Sequence, residues 1–156
     1  MKTILFLDLE NTIIDTWDNR NICSNWKSIK SWISCINFDE VHVFSYAIWN
    51  QDDIRTFKDS IAPSIEEVLK IRFNDKVLDV DLMRVICANH LKIRMNKDDF
   101  FTFMKKEISF RIICEENFSG CECILLDDMV IDSILSNRDT GTIIKTYNVK
   151  NCMEVI

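Results

Sequence analysis

Clustered carboxylates follow two apolar runs of this chain, one near each end of the sequence. Each run has the length and composition of a buried strand. Unpaired charges at the end of such a strand are costly, and clustered buried acids are normally paired or bound to a cation. The sequence therefore predicts an acidic site of the magnesium type, shared by the two strand ends. The acids after the first run are Asp8 and Glu10, and those after the second are Asp127, Asp128 and Asp132.

Length and composition restrict the class of protein. A chain of 156 residues with 47% hydrophobic and 28% charged residues predicts one globular domain, 1–156, with a proper core. The net charge of -6 argues against non-specific nucleic-acid binding, although a metal ion and one lysine suffice to hold a single phosphate. We find no apolar run long enough to cross a membrane, and the N-terminus enters a strand at once, so we predict neither a membrane span nor a signal peptide. The expected location is cytoplasmic.

The cysteines and the amino-acid bias add two weaker indications. Seven cysteines, an odd number without a regular spacing, predict reduced structural thiols rather than a disulfide framework or a zinc site. The richness in Ile, Asn, Lys and Asp is typical of AT-rich genomes, viral genomes among them.

The elements that position the acids alternate between strands and helices. We predict strands at 3–9, 40–48, 123–126 and 142–146. Residues 76–96 fit two alternatives, a strand at 77–80 or a helix capped by Asp79. This alternation predicts an α/β fold, a three-layer sandwich with a mainly parallel sheet, in which ligands bind at the carboxyl ends of the strands. We predict helices that begin near Asp18 or Asn21, at Asp52, at Pro63 and at Lys97, the last of which runs through Lys106. The first helix carries an apolar stripe of Ile22, Trp26, Ile29, Ile33 and Ile36.

The segment Asp8-Leu9-Glu10-Asn11-Thr12 resembles the first motif of the haloacid dehalogenase (HAD) superfamily, Asp-x-Asp-Gly-Thr. The other motifs of that superfamily have candidates in the right order. Ser45 follows the second apolar run, Lys97 opens a helix, and the Asp127-Asp128 pair is followed by Asp132. Lys92, Lys105 and Lys106 are alternatives to Lys97.

The resemblance implies a HAD/Rossmann-like fold and a role for each of these residues. Asp8 would attack a phosphomonoester to form an aspartyl-phosphate, and Glu10 would act as general acid and base. Ser45, Lys97 and Asn11 would hold the phosphate. The implied cofactor is Mg2+, with ligands from Asp8, the backbone carbonyl of Glu10, Asp127, Asp128 and Asp132.

Two positions depart from the family motif. Glu10 stands where phosphatases of the family have Asp, and its extra methylene moves the carboxyl by about 1.5 Å. A misplacement of about 1 Å can lower a rate on the order of a hundredfold. Asn11 replaces Gly, which is a milder change because Asn tolerates positive φ.

The spacing between the motifs limits the covering domain and leaves the substrate open. The short interval between Thr12 and Ser45 leaves room for little or no cap, although a small helical insert fits around 60–95. A nucleotide or a phosphorylated macromolecule remains a candidate substrate. One alternative is a HAD-like interaction protein with weak or no turnover, which would bind a protein partner. It is suggested by Glu10 and Asn11 and by a segment that we predict to be exposed, Phe100, Phe101 and Phe103. The third is a PIN-type metal nuclease, which would need Glu40 or Glu66 in the site.

Overall fold

The computed structural model describes residues 1–152, which form an α/β fold with a five-stranded sheet. A π-helical turn, Phe57–Ile61, joins the helix Gln51–Thr56 to the helix Ala62–Leu69. The strands are β1 Thr3–Leu7, β2 Glu40–Val43, β3 Glu122–Asp127, β4 Ser133–Asn137 and β5 Thr142–Asn148. The helices are α1 Trp26–Ser34, α2 Gln51–Thr56, α3 Ala62–Leu69, α4 Val80–Leu91, α5 Lys97–Phe103, α6 Lys106–Asn117 and α7 Val149–Cys152.

The sheet has the strand order β2-β1-β3-β5-β4. Strands β2, β1, β3 and β5 are parallel, and β4 pairs with β5 in the antiparallel direction. The predicted α/β class and mainly parallel sheet are thus confirmed. Since β1 lies between β2 and β3, the carboxyl ends of these three strands meet at one edge of the sheet.

The core consists of two hydrophobic clusters, and alternate residues of each central strand belong to different clusters, as the two-residue period of a strand requires. In β1, Leu5 and Leu7 belong to the first cluster, and Ile4 and Phe6 to the second. Helices α1, α2, α3 and α7 contribute buried residues to the first cluster. Helices α4, α5 and α6 contribute to the second. Within residues 1–152, no helix has both the length and the apolar composition needed to cross a membrane.

Several predicted element boundaries differ from the structure. Strand β1, predicted as 3–9, ends at Leu7, because the chain then enters the turn after Leu9. Helix α1 begins at Trp26, because Ile22, which fits the helical spacing, forms an antiparallel bridge with Ile14 instead. Strand β2 ends at Val43, well before residue 48. Helix α2 is capped by Asn50 rather than Asp52, because the Asn50 side chain accepts a hydrogen bond from the backbone N–H of Asp53.

The middle of the chain is helical. The carboxylate of Asp79 accepts from the Leu82 N–H at 2.8 Å, so the helical alternative for residues 76–96 is correct. Asn96 and Asp99 form a capping box at the start of α5. The helix predicted from Lys97 through Lys106 is interrupted at Met104, and Lys106 opens a second helix, α6. Strand β4 was not predicted, because its side chains are mostly exposed and give no alternating pattern.

Candidate active site

The carboxyl ends of β1 and β3 bring three aspartates together. Leu7 pairs with Leu126 in the parallel register, and the Asp8 N–H donates to the Leu126 carbonyl at 3.1 Å. As a result, one carboxylate oxygen from each of Asp8, Asp127 and Asp128 lies within 4.8 Å of the other two. The structure thus groups three of the five acids that the sequence placed at the two strand ends.

Lys106 joins two of these aspartates. Its Nζ donates to Asp8 Oδ1 at 2.5 Å and to Asp127 Oδ2 at 2.6 Å. Helix α6 is held on the sheet by Phe110, one turn after Lys106, whose ring packs edge-on against Phe6 and Phe44 with centroids 5.0 and 5.3 Å apart. Residues four apart share a helix face, so the packing of Phe110 directs Lys106 toward the end of β1.

Burial controls the ionisation of this group. Asp8 is 3% exposed and Asp127 fully buried. Desolvation raises the pKa of Asp8 to about 7, against the attraction of Lys106, and raises the pKa of Asp127 in the same way. For Lys106, burial acts to lower the pKa, but the charges of the two aspartates outweigh it and the net shift is upward. Lys106 therefore stays protonated, while burial disfavours the charged forms of the two carboxyl groups.

A tight turn after β1 orients Asp8. The Leu9 carbonyl accepts from the N–H groups of Thr12, Ile13 and Ile14 at 2.9–3.1 Å. Asn11 adopts a φ of 61°, in the left-handed region that Asn tolerates better than most residues. The buried Thr12 hydroxyl donates to Asp8 Oδ2 at 2.9 Å. Both carboxylate oxygens of Asp8 are thus fixed, one by Lys106 and the other by Thr12.

Glu10 lies in the cleft that contains Asp8, whereas Ser45 is not among the described residues that line this cleft. The Glu10 carboxylate lines the same cleft as Asp8 and accepts from the Trp17 N–H at 2.9 Å. Ser45 is buried just beyond the end of β2, and its Oγ accepts from the Ala47 N–H at 3.1 Å. That contact shapes the loop after β2 and brings Tyr46 and Ala47 to the cleft.

Lys97 and Asp132 are not part of the group. Lys97 lies at the start of α5, where its Nζ is 3.3 Å from Asp81 Oδ1 and 5.3 Å from the centre of the Trp49 ring. Asp132 is exposed, and its carboxylate accepts from the Asn148 N–H at 2.7 Å. The structure thus gives Lys106, which the sequence offered as an alternative, the place beside Asp8 that was predicted for Lys97.

The signal that distinguishes the two lysines is local. Both open a helix, and the break between α5 and α6 contains neither Pro nor Gly, so composition does not show it. Lys106, however, opens the helix that directly precedes β3 and is followed by Phe110 and Ile113, which are buried. The lysine that opens the helix before β3, Lys106, was therefore the better candidate for the place beside Asp8.

An open cleft of about 390 Å³ lies over the aspartates. Its lining includes the well-buried Asp8 and Lys106 and the exposed Trp49, Phe101 and Met129. The charged lining comes from Asp8, Glu10, Lys106 and Asp128, and the remainder from Asn11, Tyr46, Ala47, Trp49, Phe101 and Met129.

Comparison with known proteins gives no relative: no family model, no curated protein and no solved structure matches this chain.

Proposed function

We propose that this chain is a Mg2+-dependent phosphohydrolase that cleaves a phosphomonoester through an aspartyl-phosphate on Asp8. The observation that carries the proposal is the position of Asp8. This buried carboxylate lies at the end of a central strand, is held by Lys106 and Thr12, and opens onto a cleft beside Asp127 and Asp128. A structural ion pair has no need of a third carboxylate or of an open cleft.

The donor set fits Mg2+. All three candidate ligands are carboxylate oxygens, the hard donors that Mg2+ prefers. One oxygen from each carboxylate lies within 4.8 Å of the other two, so the three side chains would be placed to share a single cation. One lysine does not neutralise three carboxylates, and a divalent cation would balance the remaining charge. When bound, Mg2+ would supply positive charge to the phosphate oxygens.

The residues of the chain then have distinct tasks. An oxygen of Asp8 attacks phosphorus, and the bond from phosphorus to the ester oxygen breaks. Glu10 gives its proton to the departing oxygen and afterwards takes one from the water that attacks the aspartyl-phosphate, so that phosphate leaves and Asp8 is restored. Lys106 stabilises the charge on the transferring phosphoryl group. Thr12 keeps Asp8 in one rotamer throughout.

We further propose that the fold is a HAD/Rossmann-like three-layer sandwich with little or no cap. Two observations support this arrangement. Each central strand contributes alternate residues to two clusters, and different helices complete each cluster. The cleft is open, and within residues 1–152 its lining comes from loops at the strand ends and from the starts or exposed faces of α5 and α6.

The sequence leaves two other functions open. A PIN-type nuclease would need a further carboxylate, but Glu40 pairs with Lys2 and His42 at the amino end of β2, and the Glu66 carboxylate accepts from the Phe73 N–H. Neither joins the aspartates. An interaction protein with little turnover is favoured by Glu10, whose carboxylate is tied to the Trp17 N–H. The predicted exposed Phe segment is only partly present, because Phe100 is fully buried.

The proposal is tested by phosphate release from p-nitrophenyl phosphate and from nucleoside monophosphates, in Mg2+ and in EDTA. We expect metal-dependent hydrolysis that Asp8→Asn abolishes and that the control Asp132→Asn retains, with circular dichroism to confirm that both variants fold. No release of phosphate by a folded wild-type protein that binds Mg2+ would favour the interaction protein. Cleavage of a fluorescent RNA without phosphatase activity would favour the nuclease.

A further inference from the structure

Three aromatic rings line the cleft on the side of β2. Tyr46 and Trp49 belong to the loop after β2, and Phe101 belongs to α5. The Phe101 centroid lies 5.4 Å from that of Trp49 and 5.8 Å from that of Tyr46. The indole N–H of Trp49 donates to the Tyr46 carbonyl at 2.8 Å, which fixes the orientation of the ring. We call Tyr46, Trp49 and Phe101 the aromatic wall.

Packing does not account for the exposure of this wall. Trp49 is 45% exposed and Phe101 37% exposed, although the adjacent Phe100 is fully buried. Exposed rings that cluster in a cleft, unlike isolated ones, are a feature of sites that cover them with a ligand or partner. Here the exposed rings lie in a cleft whose deeper part is charged, so one ligand can contact both regions.

The order of the strands places the wall relative to the aspartates. Tyr46 adjoins the charged floor, because Lys106 Nζ lies 5.4 Å from the centre of its ring. Trp49 and Phe101 are more exposed and lie farther out along the cleft. Met129, which follows β3 on the other side of β1, is an exposed apolar residue that also lines the cleft. A planar group would lie between the aromatic wall and Met129.

We propose that the aromatic wall is a base-stacking subsite, and that the substrate is a nucleoside monophosphate. This inference rests on the proposed function, which puts the phosphate at Asp8 and Lys106. A nucleotide carries its ring one sugar away from the phosphate, which matches a charged floor followed by an aromatic outer wall. A cleft of about 390 Å³ is of the size that holds small molecules.

The charge of the cleft selects a single nucleotide rather than a polynucleotide. Lys106 is the one cation among the residues that line the cleft in the described part of the chain. Binding to a nucleic-acid backbone requires a track of cations, and the whole chain has a net charge of -6. Lys97, with its Nζ 5.3 Å from the Trp49 ring centre, adds one donor suited to the acceptor atoms of a base.

The test compares substrates with and without a base. Adenosine monophosphate, glycerol 3-phosphate and phosphotyrosine would be assayed with the wild type, Trp49→Ala, Trp49→Phe and Phe101→Ala. Phe103→Ala is the matched control, because Phe103 belongs to the same helix, is 68% exposed and does not line the cleft.

We expect KM for adenosine monophosphate to rise roughly 5- to 160-fold in Trp49→Ala, the range for loss of one base stack. KM for glycerol 3-phosphate should change less than about twofold in every variant, which is well below the loss of a stack. Trp49→Phe should restore most of the affinity, and Phe103→Ala should behave as the wild type does.

Equal losses for adenosine monophosphate and glycerol 3-phosphate would overturn the subsite and leave the phosphatase proposal intact. A loss confined to phosphotyrosine would also overturn it. If the wild type hydrolyses nothing, the phosphatase proposal fails, and calorimetric titration with adenosine monophosphate in Mg2+ tests the subsite by itself. Binding that Trp49→Ala abolishes would support the subsite, and absence of binding would overturn it.

Discussion

Replacement of Lys106 by Met is the most informative perturbation of this site. The variant keeps a side chain of similar length but removes the cation that contacts Asp8 and Asp127. Both aspartates are almost fully buried, and removal of one partner from a buried ion pair costs about 3–5 kcal/mol. For a domain of this size, about 2–4 °C per kcal/mol gives a melting temperature lower by about 6–20 °C in EDTA.

The loss of stability should depend on pH in a defined direction. The pKa of Asp8 in the folded protein is about 7, above the value near 3.9 of an unfolded chain. The folded state therefore holds an extra proton, and this group lowers stability as pH rises from about 4 to about 7. Without Lys106 the pKa of Asp8 rises further. The loss of stability in Lys106→Met, relative to the wild type, should therefore be larger above pH 7 than below it.

The assay is thermal unfolding by circular dichroism at several pH values, in EDTA and in Mg2+, alongside phosphatase activity. Lys97→Met is the matched control for unfolding, since Lys97 forms an exposed pair with Asp81 worth about 0–1 kcal/mol. Mg2+ should narrow the deficit of Lys106→Met by supplying positive charge. If Lys106→Met melts at the wild-type temperature in EDTA at pH 8, the reasoning is refuted. If only Lys97→Met loses activity, Lys97 is the phosphate-binding lysine, as the sequence predicted.

Three further outcomes follow from the site. Glu10→Gln should slow the hydrolysis of alkyl phosphates about 10²- to 10⁴-fold, the usual contribution of a general acid. It should slow the hydrolysis of p-nitrophenyl phosphate far less, because p-nitrophenolate leaves without a proton. Equal losses for both substrates in steady-state assays would contradict the role of Glu10. Asn11→Ala should cost about 1–2 kcal/mol in urea unfolding because of its φ of 61°, whereas Asn11→Gly should be nearly neutral. Calorimetric titration should show weaker Mg2+ binding for Asp128→Asn. Binding should be unchanged for Asp132→Asn, because the Asp132 carboxylate contacts the Asn148 N–H instead. The reverse order of affinities would exclude the proposed ligand set.

The sequence predicted the parts of the site that depend on strand ends. Asp8 and Asp127 each follow an apolar run, and a parallel sheet requires the ends of adjacent strands to meet, so their proximity follows from pattern alone. The positive φ of Asn11 was likewise foreseeable from the residue type. These features are local, or follow directly from the class of fold.

The remainder depends on tertiary contacts that periodicity does not encode. Ile22 matches the helical spacing of the residues after it, yet it bridges Ile14 across the turn that follows β1. The break before α6 is set by packing of Phe110 and by the Tyr46 hydroxyl, which donates to the Met104 carbonyl at 2.9 Å. No turn residue marks that break, so the sequence pattern favoured Lys97. In the structure, Lys106 is the lysine that contacts Asp8.

The antiparallel strand β4 has a consequence for handling the protein at high concentration. In the part of the chain that the structure describes, β4 pairs only with β5 and exposes Ile134 and Leu135. An open edge with apolar side chains is a template for pairing between molecules. Repulsion between chains of net charge -6 opposes this association, but it vanishes near the isoelectric point of about 4.9. Purification and crystallisation should therefore avoid mildly acidic buffers, and a lysine in place of Leu135 should extend the usable range.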